Sequence, residues 1–270
     1  MTELAVDGLV HIYPEGAVRA LDGVDLRLPT GQSVALVGQN GSGKTTLVRH
    51  LNGLLRPTDG QVLVDGRDAR GQTVAALAHH IGLVFQDPDR QIFAGSARAE
   101  VEFGPRNLGL RGADLGRAVA SALESVGLAG EDRTNPYDLG YSRRKLLALA
   151  SILAMQTPVV VLDEPTTGQD ARGVERVASI VADLAAAGRT VIAISHDMRF
   201  VAEHFERIVV MRAGRVILDG PPATVFAEES WPVLASTYLE PPYSARVGAR
   251  LGLGSTPTDA SVVEALRVRS

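Results

Sequence analysis

One nine-residue stretch constrains this chain more than any other: Gly38-Gln39-Asn40-Gly41-Ser42-Gly43-Lys44-Thr45-Thr46. Before it, Ser33-Val34-Ala35-Leu36-Val37 is an apolar run of strand length. After it, Leu47, Val48, Leu51 and Leu54 recur at helical spacing. Strand, glycine-rich turn, helix is the setting in which G-x-x-x-x-G-K-[ST] cradles phosphate. The glycines let backbone approach phosphate oxygens, successive N–H groups point into the loop, and the new helix adds its positive end. Lys44 is then expected to reach the β- and γ-phosphates, and the Thr45 hydroxyl to bind Mg²⁺. The bland alternative, a turn that only caps a helix, needs no such spacing.

The rest of the chain keeps an alternating rhythm. Residues 4–12 and 21–28 read as strands joined through the turn Tyr13-Pro14-Glu15-Gly16. Pro57-Thr58-Asp59-Gly60 stops the first helix, Gln61-Val62-Leu63-Val64 is a strand, and a short helix around 73–79 leads to the strand 81–85. From Ser96 the periodicity turns helical, with breaks expected at Gly104-Pro105 and near Gly112, and a helix from about Ser142 to Met155. This stretch, about 96–155, suggests a helical subdomain inserted into an α/β core. Strand–helix alternation then resumes over 159–162, 171–187 and 190–195, followed by strand-like runs at 207–212 and 215–218. Beyond Pro241-Pro242 lies a thin tail, 241–270, expected to be exposed, with a short helix over 259–268.

Composition narrows the classes. The 270 residues suffice for one large domain or two small ones. A net charge of −4 argues against a broad nucleic-acid-binding face, and the absence of cysteine excludes disulfides and thiol catalysis. The start, Met1 to Asp7, has neither basic region nor apolar core, so no signal peptide is expected. The longest apolar stretch, Leu146 to Met155, is far short of the ~20 residues that span a bilayer. A chain soluble by itself is expected, docking onto any membrane through a partner.

Two further places carry chemistry. Val159-Val160-Val161-Leu162 is apolar at every position, as in a strand buried on both faces, and it delivers Asp163 and Glu164 at its C-terminal end. Asp163 would orient Mg²⁺ and Glu164 would polarise an attacking water. Alone, the two acids could equally be a helix cap and a solvated carboxylate. Ile194-Ser195-His196-Asp197 closes another apolar strand with a histidine, which taken alone reads as a capped or core residue before a catalytic one, although its position after a neighbouring core strand would let it reach a γ-phosphate.

In this order, residues 38–46, Gln86, Asp163-Glu164-Pro165-Thr166 and His196 resemble an ABC-type ATPase domain, over about residues 3–240. Within that superfamily, Leu83 to Phe93 and Val101 to Leu110 resemble the energy-coupling-factor importers, the cobalt/nickel and vitamin uptake systems. The fold implied is α/β, an ABC-type P-loop NTPase core over 1–240 with an N-terminal antiparallel β subdomain and an inserted helical subdomain. The resemblance implies that Tyr13 stacks on adenine, although a strand-end tyrosine packed on the sheet would look the same. It makes Gln86 a contact to Mg²⁺ and water and a sensor of the membrane partner. It gives Gly168-Gln169-Asp170 as a loop crossing to a second subunit, and His196 as a γ-phosphate contact.

One segment departs from the family. Where members carry Leu-Ser-Gly-Gly-Gln, counting back from Asp163 finds Leu139-Gly140-Tyr141-Ser142-Arg143. Tyr141 should crowd the approach to ATP held by the other subunit, while Ser142 and Arg143 keep a hydroxyl and a charge that could still bind phosphate. A heterodimer with a related ATPase subunit bearing the intact signature is therefore expected. The function implied is an ATP-hydrolysing motor, using ATP and Mg²⁺, at the cytoplasmic face of the membrane. Its further partners would be a transmembrane coupling subunit and a substrate-binding membrane subunit. The alternative is a soluble ABC-type ATPase acting on nucleic acid or ribosomes. The missing basic surplus and the lack of a long heptad insertion between Gly43 and Leu139 argue against that.

Overall fold

The strand-length apolar runs pair into two sheets that meet over the first helix. The structure, a computed structural model, describes residues 2–14 and 17–269, so Met1 and the Glu15-Gly16 half of the expected turn lie outside the described residues. In chain order the strands are β1 (Leu4–Tyr13), β2 (Val18–Leu28), β3 (Ser33–Val37), β4 (Asp59–Val64), β5 (Arg67–Asp68), β6 (Ile81–Val84), β7 (Val159–Asp163), β8 (Thr190–Ile194), β9 (Arg207–Arg212) and β10 (Arg215–Gly220). The α-helices are α1 (Lys44–Leu51), α2 (Val74–Leu77), α3 (Ala97–Asn107), α4 (Gly112–Ser125), α5 (Tyr141–Leu153), α6 (Ala171–Ala186), α7 (Met198–His204), α8 (Pro222–Val225), α9 (Trp231–Ala235), α10 (Tyr243–Arg250) and α11 (Asp259–Arg269).

Strands β2-β1-β4-β5 form an antiparallel sheet, and β10-β9-β3-β8-β7-β6 form a second in which all neighbours except the β10 edge run parallel. Strand β2 starts at Val18, before the expected residue 21, because the register continues to Tyr13↔Val18. Val18 is exposed there, so no apolar alternation marks it. The central strands β3, β7 and β8 are buried at every position, which is why they read as unbroken apolar runs.

Alternate residues of those strands feed two cores. Val34, Leu36, Val159, Val161 and Ile192 meet Leu47 and Leu51 of α1 and Leu4, Val6 and Leu9 of β1. Ala35, Val37, Val160, Leu162 and Ala193 meet Leu147 and Ala148 of α5 and Val177 and Ile180 of α6. Each fully buried Val, Leu or Ile contributes about 1.5–3 kcal/mol, so a sheet covered on both sides holds its strand ends still. That is the platform for the site.

Helices α3, α4 and α5 interrupt the chain between β6 and β7, which are themselves adjacent and parallel. The expected break at Gly104-Pro105 does not occur, and α3 runs on to Asn107. Pro105 falls in its last turn, where a missing N–H removes a single hydrogen bond near an end that already frays. The tail also departs from the exposed thread expected of it. Helix α10 was not legible in the sequence, yet it buries Ser244, Ala245 and Gly248. Ala245 joins the main core, and the buried Thr256 hydroxyl donates to Ser244 O at 3.0 Å. Among the described residues no helix is long and apolar enough to cross a membrane.

Candidate active site

The cleft of this site opens at the C-terminal ends of β3, β7 and β8, where a parallel sheet presents its ligands. Gly43 stands at the N-cap of α1 with φ +105°, and a Cβ there would lie 2.6 Å from the Ala20 carbonyl oxygen. Only glycine lets the loop turn this tightly against the antiparallel sheet. The cleft, about 300 Å³, is lined by residues 40–46, Tyr13, Gln86, Asp163, Glu164 and His196. The fold thus collects these sequence-predicted residues from strands far apart in the chain. An adjoining hollow of about 550 Å³ shares Thr45, Gln86 and Asp163 with it and extends to Arg49 and Arg90.

Lys44 folds over its own loop. Its Nζ donates to Gly38 O at 2.7 Å and Gln39 O at 3.0 Å, with Ser42 Oγ at 3.4 Å. Burial lowers its pKa, and the charges of Glu164 and Asp163 oppose that shift. The Thr45 hydroxyl donates to Asp163 Oδ2 at 3.3 Å, joining the glycine loop to β7. Burial raises the Asp163 carboxyl above the usual carboxylate range, the Thr45 bond works against this, and the Glu164 charge adds to it. Asp163 Oδ1 is buried without a hydrogen-bond partner. An orphaned carboxylate oxygen beside a hydroxyl and the Gln86 side chain is a donor set that suits Mg²⁺. Among the described residues no three His, Cys, Asp or Glu side chains cluster tightly enough to hold a metal alone, so phosphate oxygens would complete the shell.

Glu164 is almost fully buried and its backbone sits at φ +52°. Its Oε2 accepts from the Thr167 hydroxyl at 3.1 Å, and its Oε1 lies 2.9 Å from His196 Nε2 without the alignment of a hydrogen bond. Tyr13 lines the cleft with its hydroxyl 3.2 Å from Thr46 Oγ1, while its ring edge packs on His11 at 4.5 Å between centroids. His11 in turn approaches His50 Nε2 at 3.2 Å, and His50 Nδ1 lies 2.7 Å from Thr46 O.

The Leu139–Arg143 segment and the 168–170 loop do not line this cleft; they meet each other. Ser142 Oγ donates to Gln169 Oε1 at 2.7 Å, and Gln169 Nε2 donates back to Ser142 O at 3.2 Å. The Tyr141 ring lies over Gly168, so close that a Cβ on residue 168 would fall 2.8 Å from it. Arg143 is paired with Glu131 at 2.6 Å, and Asp170 caps α6 through Gly173 N at 2.8 Å. The hydroxyl and charge that the sequence left available for phosphate are therefore engaged within this chain.

Sequence reading missed Lys145 and Gln91. Lys145, buried one turn into α5, donates to the carbonyls of Glu164 and Thr167. Gln91 ties Phe85 N at 3.0 Å to Ala148 O at 2.7 Å, fastening the end of β6 to α5. A charged residue inside the otherwise apolar face of α5 was the available signal for Lys145; Gln91 offered none.

The ABC transporter family profile matches residues 21–167. The energy-coupling factor transporter ATP-binding protein EcfA2 of Symbiobacterium thermophilum is 43% identical over 234 residues, covering 84% of this chain and 81% of that protein. The solved structure of cbiO1 from Clostridium perfringens, described as part of the ABC transporter complex cbiONQ, superposes with a TM-score of 0.75 at 34% identity, covering 90% of this chain and 97% of that one. A relative from Caldanaerobacter subterraneus subsp. tengcongensis is 40% identical over 242 residues, 90% of this chain but 42% of that protein. The chain thus spans about two fifths of the length of some curated relatives it matches. With the cleft, the inserted helices and these likenesses in agreement, the chain belongs to the ABC transporter ATP-binding family, in its energy-coupling-factor branch.

Proposed function

We propose that this chain binds and hydrolyses ATP as the motor subunit of an energy-coupling-factor importer for a metal ion or vitamin, at the cytoplasmic face of the membrane. One observation carries the proposal: the Thr45–Asp163 bond brings the glycine loop to the strand end that also bears Glu164, 2.9 Å from His196. Phosphates enter against the N–H groups of residues 41–46 at the start of α1, and Lys44 exchanges its loop carbonyls for β- and γ-phosphate oxygens. Thr45, Gln86 and Asp163 would hold Mg²⁺, which supplies charge neutralisation on the phosphates. Tyr13 stacks on the adenine. Glu164 orients and deprotonates the water that attacks the γ-phosphorus as the bond to the β-phosphate oxygen breaks, and His196 contacts the γ-phosphate. With little covalent work to do, the site acts mainly by positioning and by neutralising charge.

The partner of this site is a second ATPase subunit. Ser142 and Arg143 are spent on Gln169 and Glu131, so two copies of this chain would each offer a poor signature to the other's ATP. A related subunit with an intact signature completes the cleft described here, and a transmembrane coupling subunit and a substrate-binding membrane subunit complete the importer. Phosphate release by the purified chain alone and mixed with such a subunit tests this. Low activity alone with strong stimulation on mixing is expected; full activity from the lone chain overturns the heterodimer. Products that include a phosphorylated small molecule in place of free phosphate overturn hydrolysis itself.

A further inference from the structure

We infer that Lys145 is a positioning residue for Glu164, an inference that rests on Glu164 being the base proposed above. Lys145 lies 3% exposed in α5, and among the described residues no carboxylate pairs with it in an ion bridge. Its ammonium instead donates to two main-chain carbonyls, those of Glu164 and Thr167, the latter at 2.9 Å. These are the two ends of the turn 164–167 that carries the Glu164 side chain into the cleft.

Burying an ammonium is costly, and a Leu or Met would fill the same space at less cost. What the ammonium adds is a grip on a backbone held in an unfavourable conformation. Glu164 has φ +52°, a region that residues with a Cβ adopt rarely and only when their surroundings hold them there. Its N–H is held by Ile194 O of β8 at 3.0 Å, and its C=O accepts from Lys145 and, within the turn, from Thr167 N at 3.3 Å. With both ends of the residue fastened, its Cα–Cβ bond has one direction, and the Thr167 hydroxyl, donating to Glu164 Oε2 at 3.1 Å, holds the carboxylate at the end of it. Without the ammonium, the Thr167 carbonyl loses its donor and the Glu164 carbonyl keeps only the Thr167 N–H at 3.3 Å, so the turn can relax and the carboxylate leaves its place beside His196. The same helix meets the following loop through Ser142 and Gln169, so α5 supports this turn at two points.

The test uses the ATPase-competent assembly purified with this chain and compares Lys145→Met, Lys145→Gln, Glu164→Gln and the Lys145→Met/Glu164→Gln double variant. A misplaced base lowers kcat without touching nucleotide affinity. Lys145→Met should therefore lose roughly 10–100-fold in kcat, with ATP KM and equilibrium ATP binding within about twofold, since a lost transition-state contact leaves ground-state binding alone. Lys145→Gln, which keeps a donor on a shorter stem, should fall between. In single turnover the double variant should be no slower than Glu164→Gln alone, because both changes act through one carboxylate.

Wild-type kcat in folded Lys145→Met overturns the inference, as does a further multiplicative loss in the double variant. If Lys145→Met does not fold, wild-type kcat in Lys145→Gln overturns it. Wild-type turnover in Glu164→Gln overturns the assignment of the base itself, whereas an inactive Glu164→Gln beside a fully active Lys145→Met overturns only the role given to Lys145.

Discussion

The hydroxyl of Thr45 donates to Oδ2 of Asp163 at 3.3 Å, across 118 positions of sequence. It is the direct join between the glycine loop and the acidic strand end, and it leaves the other carboxylate oxygen buried with no partner. A charged group so placed weakens the nucleotide-free fold, and on the reading proposed above it is there to meet a cation.

Asp163→Asn should therefore stabilise the nucleotide-free protein while removing its response to Mg²⁺. The carboxyl pKa is raised in the fold, so the folded state binds the proton more readily than the unfolded chain, and the ionised form opposes folding at neutral pH. Neutralising it should raise Tm by about 2–4 °C. Scanning fluorimetry with ATP, with and without Mg²⁺, should show the metal-dependent part of the ligand shift disappear.

Glu164→Gln keeps the size of the side chain and removes the proposed base. ATP binding should persist while phosphate release falls by a factor on the order of 10²–10⁴. Equilibrium binding of a fluorescent ATP analogue beside steady-state phosphate release separates the two effects.

Lys44→Ala removes an ammonium now bonded to loop carbonyls, which the proposed mechanism exchanges for phosphate oxygens. Loss of a charge-assisted contact costs about 1.5–3 kcal/mol, or roughly 10–100-fold in the Kd for ATP. Isothermal titration reads this directly, and unchanged affinity would remove Lys44 from phosphate recognition.

His50 makes the fold acid-sensitive from a place outside the chemistry. Burial depresses its pKa below the ordinary 6.5, with the His11 charge acting in the same direction and the bond to Thr46 O opposing it. Above that pH the ring is neutral in both states and costs nothing. As pH falls below about 6.5, the unfolded chain takes up the proton first and stability drops until the folded pKa is passed. Between pH 7.5 and 5 the urea unfolding midpoint of the wild type should lose ground to that of His50→Gln, since the rise in stability that protonating Asp163 brings is common to both. His204, also depressed by burial, contributes a residual slope to both.

The buried strands and the glycine loop were legible because their patterns are local. An apolar run of strand length such as Val159–Leu162 fits a strand buried on both faces, and two acids follow it directly in the sequence. Helix α10 was not legible, since it leans on Thr256 and the main core through small residues that carry no periodic signal. The continuation of α3 through Pro105 was misread for a related reason. Whether a proline breaks a helix depends on how near the helix end it falls, and neighbouring contacts decide where that end is.

By itself the sequence determined the strand–turn–helix, the order of Gln86, Asp163, Glu164 and His196 behind it, and the oddity of Leu139–Arg143. Each is a matter of spacing along one chain. Only the tertiary structure decided that Ser142 and Arg143 are occupied by Gln169 and Glu131, that Tyr13 reaches Thr46, and that Lys145 grips the turn bearing Glu164. Hydrogen bonds between residues 12 to 33 positions apart follow from how packed helices and strands set their side chains, and linear spacing carries no record of that geometry.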